Sequence, residues 1–289
     1  MNAALPGTVR GLIEQQAALR PDALYARATE SAQQLGYGAL AEACGRVATL
    51  LLSHGLVPGD TVSLVMPNGL GTLQLLLGAL HGGWCVNPVN LLAQPAQMRY
   101  VLEHSDCKLI LACGEWADKV RALAPRAPVL AVDHEALALP ANVTPTPAPA
   151  ADATALLMYT SGTTGRPKGV MLTQANLAAN ALAITAEHAL TPADRVLGVL
   201  PLYHINAFAV TMLGPLASGG SVAMAPRFSA ARFWAQALDA RCTWLNVVPT
   251  IVSYLSEGAD VEAARAPPRE ALAAIRLCRS ASAAWPPEH

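Results

Sequence analysis

The sequence predicts an α/β fold of two adjoining α/β lobes, in which mainly parallel sheets are covered by helices. Short β-rich segments alternate with stretches whose apolar residues recur at helical spacing, which is the rhythm of parallel strands joined by helices. A stretch rich in Ala, Pro and Thr, residues 138–153, separates two such series. A chain of 289 residues also has room for a sizeable core without disulfides or a metal.

The first lobe is predicted to span residues 1–150 and to end in the Pro-rich connector. Apolar residues from Leu40 to Leu51 follow helical spacing, and Gly55 favours a helix end. Turn residues lead into a β-rich segment, and Asn68 is expected to cap the helix that follows it. The elements after Gly55 are strand 61–66, helix 70–81, strand 84–89, helix 95–104, strand 108–112, helix 116–124 and strand 129–132.

The second lobe is predicted to span residues 151–289, because the prolines of the connector prevent a continuous helix or central strand. Its elements are strand 155–160, helix 176–189, strand 195–199, helix 207–216, strand 221–224, helix 230–239, strand 243–247 and strand 275–279. Residues from Trp285 onward read as the start of another helix. We therefore expect a truncated chain.

Composition excludes several classes of function. Hydrophobic residues make up 53% of the chain, but no apolar run is long enough to predict an integral membrane segment. The first residues lack the pattern of a secretory signal, so a cytoplasmic location is expected. The six cysteines form no C-x-x-C pair, and no metal ligands are predicted. With a net charge of −1 and no basic stripe, nucleic acid is not an expected partner.

The segment from Tyr159 to Gly169 has the character of a phosphate-binding loop. Its glycines allow backbone amides to approach an oxyanion closely, its hydroxyl groups add donors, and its lysine adds positive charge. The alternative is a flexible connector with an incidental lysine. The predicted phosphate-binding residues are Thr160, Ser161, Gly162, Thr163, Thr164, Gly165 and Lys168.

The whole string, YTSGTTGRPKG, resembles the signature loop of the adenylate-forming superfamily, which includes acyl-CoA synthetases, luciferases and nonribosomal-peptide adenylation domains. The resemblance implies that Thr160 to Lys168 hold the β- and γ-phosphates of ATP. Residues 170–177 also resemble the continuation of this loop, and Thr173 is placed to cap the next helix.

A second resemblance lies in residues 200–208, at the mouth of a predicted strand. In the family this segment binds the substrate carboxylate and shapes the acyl pocket. The resemblance therefore implies that His204 is catalytic and orients the carboxylate, with Tyr203 and Asn206 contacting the substrate. The alternative is that His204 is a core residue whose hydrogen bonds are made within the fold and that has no role in catalysis.

Two further segments resemble substrate-binding parts of the family. Residues 246–250 resemble a stretch that lines the acyl pocket, which implies roles for Val248 and Pro249; the alternative is a strand end where Pro249 starts a helix. Residues 279–284 resemble the loop that passes the adenine, which implies roles for Ala281 and Ser282. The family usually has glycine and proline where this chain has Ala281 and Ala284, so the chain departs from the family pattern in this loop.

The resemblance implies an ATP-dependent acid:CoA ligase that uses Mg²⁺ and takes CoA as cosubstrate. A small-molecule carboxylate is the expected substrate, and a fatty acid is favoured because residues 201–254 resemble fatty-acyl-CoA synthetases and aromatic residues make up only 5% of the chain. The family's later motifs and small C-terminal lid domain are absent from this sequence. The alternatives are a non-catalytic nucleotide-binding remnant, or one chain of a split ligase whose missing half lies on a separate chain.

Overall fold

A computed structural model describes residues 6–160, 166–257 and 266–282. Within them the chain forms two six-stranded sheets of mostly parallel strands flanked by helices, which confirms the predicted α/β class. Contacts divide the chain into two compact units: Met1–Ala23 with Gly36–Asn180, and Leu24–Leu35 with Ala181–His289.

The helices and strands agree with most of the predicted elements. The helices are α1 (Val9–Leu19), α2 (Tyr37–Ser53), α3 (Leu70–Gly82), α4 (Pro95–His104), α5 (Glu115–Ala122), α6 (Gln174–Glu187), α7 (Gly214–Ser218), α8 (Ala230–Asp239) and α9 (Pro249–Glu257), with a π-helix at Asn206–Leu213 and a 3₁₀-helix at Arg269–Leu272. The strands are β1 (Leu24–Ala28), β2 (Gln34–Gly36), β3 (Thr61–Val65), β4 (Cys85–Pro88), β5 (Leu109–Cys113), β6 (Val129–Val132), β7 (Thr154–Thr160), β8 (Lys168–Thr173), β9 (Arg195–Gly198), β10 (Ser221–Met224), β11 (Trp244–Val247) and β12 (Leu277–Ser280).

The sheet of the first unit has the order β6-β5-β3-β4-β7-β8, and all of its pairs are parallel except β7 with β8. Helices α1 and α3 are joined through the buried side chain of Gln174. Its Oε1 accepts a hydrogen bond from the Val9 amide at 3.0 Å, and its Nε2 donates to the Leu80 carbonyl at 2.8 Å. The Val9 amide lies at the start of α1 and would otherwise be buried without a partner. The Leu80 carbonyl also accepts from the Gly83 amide at 3.3 Å.

Two local predictions in this unit are corrected. Asn68 is not the cap of α3; that position is held by Gly69, which has no side chain to cap with. The predicted loop after β7 does not lead directly into a helix, because β8 intervenes and pairs antiparallel with β7. Helix α6 starts only after Thr173, whose Oγ1 accepts from the Asn176 amide at 3.2 Å as predicted for a cap.

The sheet of the second unit has the order β12-β11-β9-β10-β1-β2, and the pairs from β12 through β1 are parallel. Burial is complete at its centre, where Val196, Val222 and Ala223 are inaccessible to solvent. The predicted helix at 207–216 is instead a π-helix followed by the short α7.

The compact units have other bounds than the expected domains at 1–150 and 151–289. Pairing of β7 with β4, and of β8 with β7, extends the first unit to Asn180, and pairing of β1 with β10 brings residues 24–35 into the second. The expected division into domains at residues 1–150 and 151–289 stays a proposal. Among the described residues, no helix combines the length and apolar character needed to cross a membrane.

Candidate active site

In the first unit, the predicted phosphate-binding loop is closed at its base by β7 and β8. Thr160 ends β7 and Lys168 begins β8, and the two are paired across the hairpin. Both are exposed. The predicted residues Ser161, Gly162, Thr163, Thr164 and Gly165 lie outside the described residues. The hairpin thus brings the two ends of the loop together and leaves a hydroxyl and an ammonium group accessible.

Tyr159 fixes the strand end from which the loop begins. Its ring packs against a buried cluster that includes Val65, Val101 and Ile110. Its hydroxyl shares a 2.8 Å hydrogen bond with Nδ1 of His104. Burial raises the pKa of Tyr159 to about 12, so this hydroxyl stays protonated at neutral pH. Tyr159 is therefore held in place both by the packing of its ring and by the hydrogen bond of its hydroxyl.

In the second unit, the carboxyl ends of three adjacent parallel strands meet at one edge of the sheet. Strand β9 lies beside β11, and β11 lies beside β12. The predicted substrate residues follow these strands: Tyr203, His204 and Asn206 after β9, Val248 and Pro249 after β11, and Ala281 and Ser282 after β12. This is the edge at which open α/β sheets bind ligands.

His204 is exposed, so it is not the satisfied core histidine of the alternative reading. Its backbone is fixed: its amide donates to the Pro201 carbonyl at 3.0 Å and its carbonyl accepts from the Phe208 amide at 3.0 Å. The ring lies 4.7 Å from that of Tyr203, centroid to centroid, and no described residue hydrogen-bonds to the imidazole. Partial burial lowers the pKa of His204, so the ring is neutral at pH 7. A neutral, unpaired imidazole can hydrogen-bond a substrate.

The π-helix begins two residues after His204, at Asn206. Such helices are rare and recur at functional sites. Asn206 Oδ1 accepts a hydrogen bond from Nη1 of Arg279 at 2.8 Å. Its Nδ2 is buried and has no hydrogen-bond partner in the described part of the chain.

Arg279 was not predicted as a site residue, although it belongs to a segment that was. Besides Asn206, its Nη1 also donates to Asn246 Oδ1 at 3.0 Å, across the β11–β12 pair. Asn246 in turn donates from Nδ2 to Thr211 Oγ1 at 3.0 Å. Burial lowers the pKa of Arg279, yet the guanidinium stays charged at any working pH. A charged residue inside a predicted strand was the available signal.

The remaining predicted residues have clear backbone roles. Val248 follows β11 directly, and Pro249 is the first residue of α9, as the alternative reading expected. The Ala281 amide donates to the Val247 carbonyl at 3.3 Å. Ser282 has φ +81°, in the left-handed region that favours glycine. The chain therefore turns sharply after β12.

The residues present fit an anionic nucleotide better than a resident metal. Lys168 offers an exposed ammonium, and no described carboxylate pairs with it. Within 6–160, 166–257 and 266–282 there is no group of three or more His, Cys, Asp or Glu residues that could hold a metal ion.

Comparison with characterised proteins gives strong matches to CoA ligases. The chain is 48% identical to sulfoacetate--CoA ligase of Cupriavidus necator, over 98% of this chain and 56% of that protein. It is 31% identical to oxalate--CoA ligase of Arabidopsis thaliana, over 97% of this chain and 56% of that protein. The chain thus spans little more than half the length of these relatives. Neither name confirms the expected fatty acid.

A solved structure described as a putative long-chain-fatty-acid CoA ligase from Rhodopseudomonas palustris matches with a TM-score of 0.85. It covers 97% of this chain and 70% of that chain at 22% identity, which establishes the fold alone. The family model described as AMP-binding enzyme matches residues 13–289. The chain belongs to the AMP-binding enzyme family.

Proposed function

We propose that the chain is the substrate-binding part of an AMP-forming acid:CoA ligase. Family membership supports the reaction class, and the observation that carries the proposal is the exposed, unpaired imidazole of His204 at the carboxyl edge of β9, β11 and β12. In this reaction a carboxylate oxygen bonds to the α-phosphorus of ATP and pyrophosphate leaves. The thiol of CoA then attacks the acyl-adenylate carbonyl, and AMP leaves.

The described residues have distinct parts in this proposal. His204 orients the substrate carboxylate by a hydrogen bond. Thr160 and Lys168 donate to the phosphates that leave as pyrophosphate, which stabilises the charge that develops on them. Mg²⁺ bound with ATP would supply further neutralisation. We propose that the segment that relatives carry beyond the matched span supplies the remaining groups, on this chain or on a separate one.

We propose a small carboxylic acid as the substrate in place of the fatty acid. The relatives at 48% and 31% identity are named for sulfoacetate and oxalate. The fatty-acid name belongs to a structure at 22% identity, too distant to carry a substrate. A nucleotide-binding remnant without turnover is the competing proposal.

The test is acid-dependent ATP–pyrophosphate exchange in an extended form, in which this chain is continued by the C-terminal segment of the C. necator ligase beyond the matched span. His204→Ala should lower exchange about 100-fold, because a positioned hydrogen-bond donor is lost from the reacting centre. ATP affinity, measured by calorimetry, should change far less. His54→Ala, an exposed histidine after α2, is the matched control and should leave exchange intact.

Two results would count against the proposal. Unchanged exchange in His204→Ala would show that this histidine does not orient the acid. Absence of exchange with every acid, while ATP still binds, would favour the non-catalytic remnant.

A further inference from the structure

Two arginines near the end of the chain have opposite surroundings. Arg276 lies just before β12 and forms a two-pronged ion pair with Asp194, with both nitrogen–oxygen distances at 2.8 Å. Its other donors reach the carbonyls of His188 and Ala189. The charge of Arg276 is therefore paired, and its donors are hydrogen-bonded, within the fold.

Arg279, three residues later, has only neutral partners within the part of the chain that the structure describes. Its Nη1 is held by the amide oxygens of Asn206 and Asn246. No carboxylate of residues 6–160, 166–257 or 266–282 forms an ion pair with it. Its Nε and Nη2 have no hydrogen-bond partner among the same residues and are not buried, so they remain available. A half-buried cation without a counter-charge is costly unless an anion is bound.

The charge of Arg279 is felt by its neighbours. The pKa of His188 lies below its ordinary value, mainly because of burial and next because of the nearby positive charge of Arg279. The two asparagines fix the guanidinium without neutralising it. They also fix which amide atom faces it, because Nη1 can only donate and so requires the oxygen of each.

A second unpaired donor lies beside the guanidinium. With its oxygen facing Arg279, Asn206 presents a buried Nδ2 that no described residue accepts from. The Nε and Nη2 of Arg279 and the Nδ2 of Asn206 are therefore hydrogen-bond donors without an acceptor among the described residues. The group that would satisfy them is an acceptor, and the uncompensated charge makes that acceptor an anion.

The position of this donor pair limits the size of the ligand. Asn206 is two residues from His204, so their α-carbons lie within about 7.6 Å. An acid whose carboxylate is oriented by His204 would reach Arg279 with a group only a few bonds away. A long aliphatic chain would instead bring methylene groups to a charged, half-buried site.

We propose that Arg279, positioned by Asn206 and Asn246, binds a second anionic group of the substrate, so that the site selects a small acid carrying a sulfonate or a second carboxylate. This inference rests on the proposed function and goes beyond it by naming the residue that binds the second anionic group of the substrate. The guanidinium plane suits either oxyanion, since both accept two parallel hydrogen bonds.

The experiment compares acids that differ only in that second charge. Sulfoacetate is paired with methylsulfonylacetate, in which an uncharged methyl sulfone replaces the sulfonate, and malonate is paired with malonamate, in which an uncharged amide replaces one carboxylate. Binding of each is measured by calorimetry on the 289-residue chain. The wild-type chain should bind the doubly charged acid about 10- to 100-fold more tightly than its singly charged partner. In Arg279→Gln that ratio should fall towards one, and Arg279→Lys, which keeps the charge but loses the planar fork, should retain part of it.

Arg241→Gln is the matched control, because Arg241 is exposed and precedes β11 at the other end of the strand. It should leave the ratio unchanged. A wild-type ratio near one would overturn the inference without any variant, even if Arg279→Gln failed to fold. An equal ratio in wild type and in a folded Arg279→Gln would also overturn it.

The exchange assay of the extended form separates the two proposals. Exchange with small acids but no preference for the doubly charged members would leave the proposed function in place and remove the role of Arg279. A preference that depends on Arg279, without exchange for any acid, would support the anion site and remove the ligase proposal.

Discussion

At the scale of single residues, the partners of a charge decide whether it serves the fold or a ligand. Lys108 pairs with Asp106 at 2.8 Å, and Lys119 pairs with Glu115 at 2.9 Å and lies over the Trp116 ring. Lys168 is also exposed but has no such partner among the described residues. Its charge is therefore available to the anion that the loop between β7 and β8 is predicted to bind.

Replacing Lys168 should weaken ATP binding. Loss of one charge-assisted hydrogen bond predicts an affinity for ATP about 10- to 100-fold lower in Lys168→Ala. Lys168→Arg should keep most of the affinity because the charge is retained. Calorimetric titration of the chain with ATP measures the effect. Lys119→Ala is the matched control, an exposed lysine of the same unit outside the hairpin, and equal affinities in all variants would make the loop a simple connector.

At the scale of elements, one carboxylate joins the amino ends of three strands in the second unit. Asp194 precedes β9, Thr243 precedes β11 and Arg276 precedes β12. Asp194 Oδ1 accepts from Thr243 Oγ1 and from Arg276 Nε, both at 2.8 Å. Burial acts to raise the pKa of Asp194, but hydrogen bonds from Arg276, Thr191 and Thr243 outweigh it and hold the pKa well below its ordinary range. The strand ends are thus held in register by a charged group.

Removing this carboxylate should destabilise the fold. Asp194→Ala leaves Arg276 and Thr243 without their acceptor and should lower the free energy of unfolding by about 2–4 kcal/mol, less than for a fully buried pair because Arg276 reaches solvent. Chemical denaturation at pH 7 measures it. Asp118→Ala, which breaks an exposed pair with Arg121, is the control and should cost about 0.5 kcal/mol or less.

The same variant has a pH dependence of known sign. Because the folded-state pKa of Asp194 is depressed, its stabilisation is fully present above the unfolded-state pKa of about 3.9 and is lost as the pH falls below that value. The difference between wild type and Asp194→Ala should therefore shrink as the pH falls below about 4. A difference that grows on acidification would contradict this account of the network.

The sequence predicts those features of the fold and the site whose signals lie within a single short segment. Most helices and buried strands from α2 onward are predicted to within a few residues, because their apolar periodicity lies within the element. Helix α1 and strands β1 and β2 are not among the predicted elements. Strand β8 was missed because it is largely exposed and shows no alternation. The π-helix has the composition of an α-helix, and its altered hydrogen bonding leaves no mark on the sequence. Arg279 acquires its neighbours only when β11 and β12 pair, so its place beside Asn206 could not be read from spacing.

At the scale of the whole molecule, the second unit depends on segments far apart in sequence. Strand β1 pairs with β10, and the Tyr25 hydroxyl donates to the Met212 carbonyl at 3.0 Å across 187 positions. Such pairing pays a large loop-closure entropy before it gains contacts, so β1 should join its sheet late in folding. Strand β12 stands at the edge of that sheet and exposes Cys278. Edge strands of this kind favour association with another chain unless they are covered.

The last prediction concerns how much of the reaction residues 1–289 perform by themselves. The chain spans 56% of the C. necator ligase, and we propose that the segment beyond this span covers the β12 edge and supplies further charge to the α-phosphoryl group. Each electrostatic group missing from such a site typically costs about 10²- to 10³-fold in rate. Residues 1–289 should therefore show less than about 1% of the acid-dependent pyrophosphate exchange of the extended form.

Size-exclusion chromatography of the same preparations tests the structural half of this prediction. Residues 1–289 should self-associate more than the extended form, because no strand of the described residues pairs with the outer edge of β12. Monomeric residues 1–289 with strong exchange that Lys168→Ala abolishes would show that the two units suffice for adenylation. The segment beyond the matched span would then have to act on the second step, where the thiol of CoA attacks the acyl-adenylate, and not on the first.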